Sequence, residues 1–120
     1  MRKDIENRKD IEVLVNVFYE KVKKDQLLAR FFAGVDWNKH LPVMYKFWEN
    51  VLFYTGNYSG NPMLAHFKLH ERMPMGMTDF NQWNQVFNQT VDELFEGENA
   101  SAIKQRAQNI STVMQIKIFK

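Results

Sequence analysis

The sequence predicts an all-α fold, on three observations. Apolar residues recur three and four apart through most of the chain, and capping and breaking residues punctuate that recurrence. No alternating apolar–polar run is bounded by hairpin dipeptides. The 120 residues suit one domain, so 1–120 reads as a single unit with no repeat, low-complexity segment or linker.

The first helix is expected over about 9–25, with Ile11, Leu14, Phe18 and Val22 on one face and Tyr19 at its edge. Leu27, Leu28, Phe31 and Phe32 form a shorter apolar group ending at Gly34. Asp36 is a good N-cap for the next helix, whose inner face carries Met44, Phe47, Trp48, Val51 and Leu52, with His40 one turn earlier. Pro42 leaves two options: a helix from Trp37 disturbed at Pro42, or a helix that Pro42 opens, with His40 in the preceding turn. The run Thr55-Gly56-Asn57-Tyr58-Ser59-Gly60 is a loop, and Asn61-Pro62 starts a short helix to about Leu69 that carries His66. A Met-rich loop over 71–78 follows. Thr78 or Asp79 then opens a helix with Phe80, Trp83, Phe87, Val91 and Leu94 inward, ending near Gly97. Asn99 caps the last helix, which turns Ile103, Ala107, Ile110 and Met114 inward.

Composition narrows the function. Sixteen Lys and Arg stand against 14 Asp and Glu, too even a balance for nucleic acid, and Lys21, Lys23 and Lys24 read as a solvated helix face. With no Cys there are neither disulfides nor thiolate metal sites, which is consistent with a reducing compartment. No apolar stretch approaches the roughly 20 residues of a membrane span, and the N-terminal residues lack the apolar core of a signal peptide. The expected location is the cytoplasm. Ten Phe, four Tyr, three Trp and seven Met suit an interior built around something flat and polarizable, although packing alone also uses such residues.

The candidates for chemistry are few. The histidines are His40, His66 and His70. His66 and His70 share a helix face, but the third and fourth ligands of a zinc site have no evident source, and His70-Glu71 does not continue into the helical zinc-protease pattern. No Gly-flanked serine or phosphate-cradling loop supports a hydrolase or a nucleotide enzyme. What remains is Tyr19, Phe32, His40, Phe47, Trp48, His66 and Trp83. A haem needs an apolar slot, one neutral nitrogen donor and hydrogen-bond donors on the opposite face. His66 can supply the nitrogen, and Tyr19, His40 and Trp83 each carry a polar tip on a largely apolar body.

From about Ile11 to Ile118 the chain resembles the third group of truncated haemoglobins, small bacterial globins with a two-over-two helical arrangement. The resemblance is carried by Phe18-Tyr19-Glu20-Lys21-Val22, the Phe47-Trp48 pair, Tyr58-Ser59-Gly60-Asn61-Pro62 leading to His66, Phe80-Asn81-Gln82-Trp83 and Gln105-Arg106-Ala107-Gln108. It implies haem b with His66 as the proximal iron ligand, and Tyr19, His40 and Trp83 as distal polar residues. It further implies Phe32, Met44, Phe47 and Trp48 as pocket walls. Lys68 and Arg72, near His66, are candidates for the haem propionates. The chain departs from the pattern at Pro42, just after His40, and in the long Met-rich loop after His66.

The implied function is binding of O2, and of NO or CO, at a pentacoordinate iron in a monomer, with Tyr19 and Trp83 donating to the ligand. Turnover of peroxide or NO with an unidentified reductase is the catalytic alternative. A haem-free helical interaction module, its aromatics simply forming a core, is the alternative from another class.

Overall fold

The computed structural model describes residues 2–56 and 74–118, with side chains through Ile116. The expected short helix from Pro62, with His66, Lys68, His70 and Arg72, lies outside the described residues. Four α-helices are described: α1 (Arg8–Lys24), α2 (Trp37–Phe53), α3 (Met77–Leu94) and α4 (Glu98–Ile118). A 3₁₀ turn over Ala29–Phe32 joins the first two, and no strand occurs among the described residues. No described helix is long and apolar enough to cross a membrane.

The helices form two pairs, α1 with α2 and α3 with α4, joined across the middle by contacts of α1 with α3 and of α2 with α4. The predicted stripe on α1 is buried throughout, and Val15 and Tyr19 widen it. Phe87 and Val91 of α3 and Ile103 and Ala107 of α4 close against it, Phe80 and Met114 are buried as well, and Trp83, Leu94 and Ile110 are only partly covered. Two small polar residues enter this interior beside the expected apolar ones. Thr90 on α3 is tolerated because its hydroxyl donates to the Val86 carbonyl one turn back, at 2.7 Å. Ser111 on α4 is the other, and it accepts from the Gln115 amide at 3.2 Å.

Helix starts explain the boundaries. The Asn7 side chain accepts from the Asp10 N–H at 3.1 Å and so caps α1, and Asp36 does the same for α2 through Asn38 at 3.1 Å. Pro42 lies inside α2 rather than at its start. Its missing N–H removes one early backbone bond, to Asn38, and its ring faces solvent, so the helix accommodates it and keeps His40 in its first turn. Helix α3 starts slightly earlier than expected. Gly76 is its N-cap, and Asp79, three residues in, accepts the Gly76 N–H at 2.8 Å.

The last helix is capped from far away. Its first N–H groups, those of Asn99 and Ala100, donate to the Asp4 carboxylate at 2.9 and 2.8 Å, so Asp4 has the role expected of Asn99. The Asn99 amide is turned back to the Ile5 carbonyl at 2.7 Å, and Glu96 N–H donates to the Lys3 carbonyl at 2.9 Å. Gly97 makes the close approach possible. It holds φ +144°, and a Cβ there would stand 2.5 Å from the Asp4 side chain. This clasp draws Ile5 fully into the core.

Candidate functional site

Four rings from three elements converge at one end of the α1–α2 pair. Tyr19 on α1 lies 5.2 Å from His40 on α2, 5.6 Å from Phe32 of the 3₁₀ turn and 5.3 Å from Trp37 at the start of α2, between ring centroids. Phe32 and Trp37 stack with their planes 22° apart, and both also contact His40. Local sequence explains the convergence. Trp37 and His40 are three apart in the first turn of α2, so they share a face, and the Asp36 cap fixes where that turn begins.

A second cluster continues inward. Trp83 on α3 stacks against Phe87, at 5.5 Å and 13°, and against Trp48 of α2, at 6.2 Å and 22°. Phe47 meets Trp48 edge-on at 5.0 Å, and Met44 packs on the same core one turn earlier. Phe18 bridges the two clusters, 5.0 Å from Tyr19 and 5.8 Å from Trp83. The structure therefore joins Tyr19, His40 and Phe32 directly and places Trp83 one ring away, beside Trp48.

Polar ties hold this geometry from below. The Arg30 guanidinium reaches the buried Asp79 at 3.1 Å, linking the 3₁₀ turn to the start of α3. Asp25 accepts the Gln82 amide at 2.6 Å and, with its other oxygen, the Leu27 and Leu28 N–H groups at 2.9 and 3.1 Å. Phe32 and Trp83 are thereby set relative to one another.

Burial pushes the Tyr19 phenol well above its ordinary value of 10.0, so at neutral pH it keeps its proton and can donate a hydrogen bond. Helix α2 also carries apolar residues beyond this cluster. Trp48 is its one buried residue, whereas Leu41, Met44, Phe47, Val51 and Leu52 are only partly covered. A neutral phenol, an imidazole and a half-covered apolar wall are what a flat apolar cofactor with a polar ligand on one face requires. Among the described residues no cluster of three or more His, Cys, Asp or Glu offers a separate metal site.

Sequence reasoning missed Trp37. The signal was available, because it follows the Asp36 cap directly and precedes His40 by three residues. Lys23, on the helix face that the sequence marks as solvated, has its ammonium 4.6 Å from the Trp37 ring centroid.

A helical sandwich with the buried Tyr19 against a half-buried His40 at one end is an arrangement of the globin type. A model of the family described as bacterial-like globin matches residues 3–116. The chain belongs to that family. A group 3 truncated hemoglobin of Campylobacter jejuni is 30% identical over 120 residues, covering 95% of this chain and 92% of that protein. The crystal structure of the group III truncated hemoglobin from Campylobacter jejuni superposes with a TM-score of 0.88 at 30% identity, covering 100% of this chain and 97% of the other. The structure of Chlamydomonas reinhardtii THB1 gives a TM-score of 0.72 at 28% identity, over 95% and 91% of the two chains. The all-α globin fold of the third truncated group is thus the fold of this chain.

Proposed function

We propose that this chain binds haem b through His66 and uses it to hold O2, or another diatomic ligand such as NO or CO, at a pentacoordinate iron. The observation that carries the reading is the Tyr19–His40 pair: a buried phenol, kept protonated, 5.2 Å from an imidazole inside a globin fold. The relatives named hemoglobins support it.

When bound, haem supplies an iron that takes one nitrogen ligand and one gas molecule. The protein's own groups do the rest. His66 would present a neutral imidazole nitrogen, and Lys68 and Arg72 would neutralise the propionates. Phe32, Met44, Phe47 and Trp48 would keep water from the pocket. The Tyr19 hydroxyl and the Trp83 indole N–H would donate hydrogen bonds to a ligand held there, with His40 as a further polar group beside Tyr19. Two hydrogen bonds to a charged group contribute about 1.5–3 kcal/mol each, enough to slow ligand release on the order of a hundredfold. Slow release suits retention or sensing better than bulk transport.

The test is a haemin titration followed by absorption, run beside His66→Ala. A saturable one-to-one Soret band that His66→Ala weakens or shifts is the expected result. If the wild-type chain leaves haemin free, the reading is lost and a haem-free interaction module takes its place. The distal roles have their own check, since Tyr19→Phe and Trp83→Phe should each speed O2 dissociation in stopped flow. Unchanged rates in both would remove the donors from the account.

A further inference from the structure

We propose that Trp37, pinned by Lys23, is the latch that sets how fast small ligands reach the Tyr19–His40 pair; this rests on the haem reading above. Trp37 contacts every other ring of the distal cluster: Tyr19 at 5.3 Å, His40 at 5.5 Å and Phe32 at 5.8 Å. Tyr19 is buried, Phe32, Trp37 and His40 are half-buried and Lys23 is exposed, and Trp37 is the ring that touches both Tyr19 and Lys23. The Lys23 ammonium holds it from outside, at 4.6 Å from the ring centroid, and is itself anchored to Glu20 at 3.1 Å.

The backbone under Trp37 lies at a helix end. It is the first residue of α2, where N–H groups have no partner within the helix, and Pro42 takes away the bond that residue 42 would otherwise make to Asn38. Besides the helix's own bonds, the turn from Trp37 to His40 is held by the Asp36 cap, by bonds from Lys39 and His40 N–H to the Asp36 carbonyl at 3.1 and 2.9 Å, and by the packing of Trp37 itself. Helix ends open locally long before the whole molecule unfolds. An opening of this turn carries Trp37 and His40 away from Tyr19 together. Trp37 is a positioning residue in this scheme, acting on access and not on the ligand.

The experiment measures CO association after flash photolysis of the reduced, haem-loaded full chain. Beside it, amide hydrogen exchange at His40 is measured in the haem-free chain, where no bound group contributes. Lys23→Met keeps the apolar stem and removes the charge, and both rates should rise about twofold to fivefold, the factor set by one exposed cation–π contact. Trp37→Leu should raise both on the order of tenfold, and Lys23→Arg should restore wild-type values. Wild-type CO rates in Lys23→Met and Trp37→Leu, with the Soret band intact, overturn the latch alone, as does unchanged exchange at His40. If Trp37→Leu fails to fold or to load, Lys23→Met decides by itself, because Lys23 is exposed and outside the core. A wild-type chain that takes up no haemin removes the parent reading, and the latch with it.

Discussion

Leu14 on α1 and Leu52 on α2 are the same side chain on two helices of 17 residues, yet the first is 0% exposed and the second only partly covered. The contrast extends to their helices. Seven residues of α1 are buried, whereas α2 buries Trp48 alone. Helix α1 is enclosed by protein, with α2 and α3 packed along it and the N-terminal clasp at its start. Helix α2 gives one side to that core and leaves an apolar strip half-covered beside the Tyr19–His40 pair. One helix organises the fold, and the other keeps most of its apolar residues half-covered.

The sharpest way to break this contrast is to remove the same atoms from both helices. Leu14→Ala should destabilise the chain by about 3 kcal/mol, the cost of a cavity in a closed core, read from urea unfolding. A loss equal to that of Leu52→Ala would show the two helices to be packed alike. Next in size is Gly97→Ala, which puts a Cβ 2.5 Å from the Asp4 side chain on a backbone at φ +144°. It should cost about 2 kcal/mol. The double variant with Asp4→Gly should lose less than the two single losses combined, because the Asp4 Cβ, Cγ and Oδ2 that the new methyl group meets are then gone.

Acidification tests the clasp more gently. Burial pulls the Asp4 carboxyl upward, but the N–H groups of Asn99, Ala100 and Ile5 outweigh it and hold the pKa below the ordinary 3.8. Asp10 behaves alike: burial raises it, and the Glu6 and Asn7 N–H groups with the Lys3 ammonium bring it below 3.8. Both carboxyls have a folded pKa below the unfolded one. Their stabilisation is therefore complete above about pH 4 and is lost as pH falls through the folded values. Asp4→Asn should flatten this acid limb and lower stability at neutral pH by about 1 kcal/mol, the worth of a helix cap; a limb unchanged in the variant would assign it to other groups. The smallest effect belongs to Leu52→Ala, at about 1 kcal/mol or less in the haem-free chain. In haemin titrations the same variant should bind about tenfold more weakly, and unchanged affinity would take Leu52 out of the wall.

What could be read from the sequence followed the range of the interactions concerned. The stripe Ile11, Leu14, Phe18, Val22 and the Asp36 cap involve neighbours a turn or two apart, and both were legible. Pro42 left two arrangements open because its cost depends on which turn it enters, and the structure selects the early turn of α2, where one bond is lost. Asn99 looked like the cap of the last helix because capping residues are sought beside the helix they serve. The actual acceptor is Asp4, 95 residues away, and no periodicity marks it. The pairing of Tyr19 with His40 was expected through family resemblance, and spacing alone would not have joined residues on separate helices. Trp37 does not stand out as a site residue in the sequence, because an aromatic next to a cap reads first as a packing residue. His66, on which the proposed iron site depends, lies outside the described residues and rests on the sequence.

The clasp has a further consequence, in time rather than in energy. Asp4 leaves the ribosome early in synthesis, and its acceptor role waits until residues 99 and 100 have followed. A contact that closes a loop of 95 residues must overcome its entropy before it contributes anything, so it forms late in folding. Interactions absent from the folding transition state govern escape from the native state. Asp4→Ala should therefore leave the refolding rate in stopped flow at its wild-type value and quicken unfolding several-fold. Asp4 would act as the last bolt drawn, and the lifetime of the folded globin would be set by a residue far in sequence from the helix it caps.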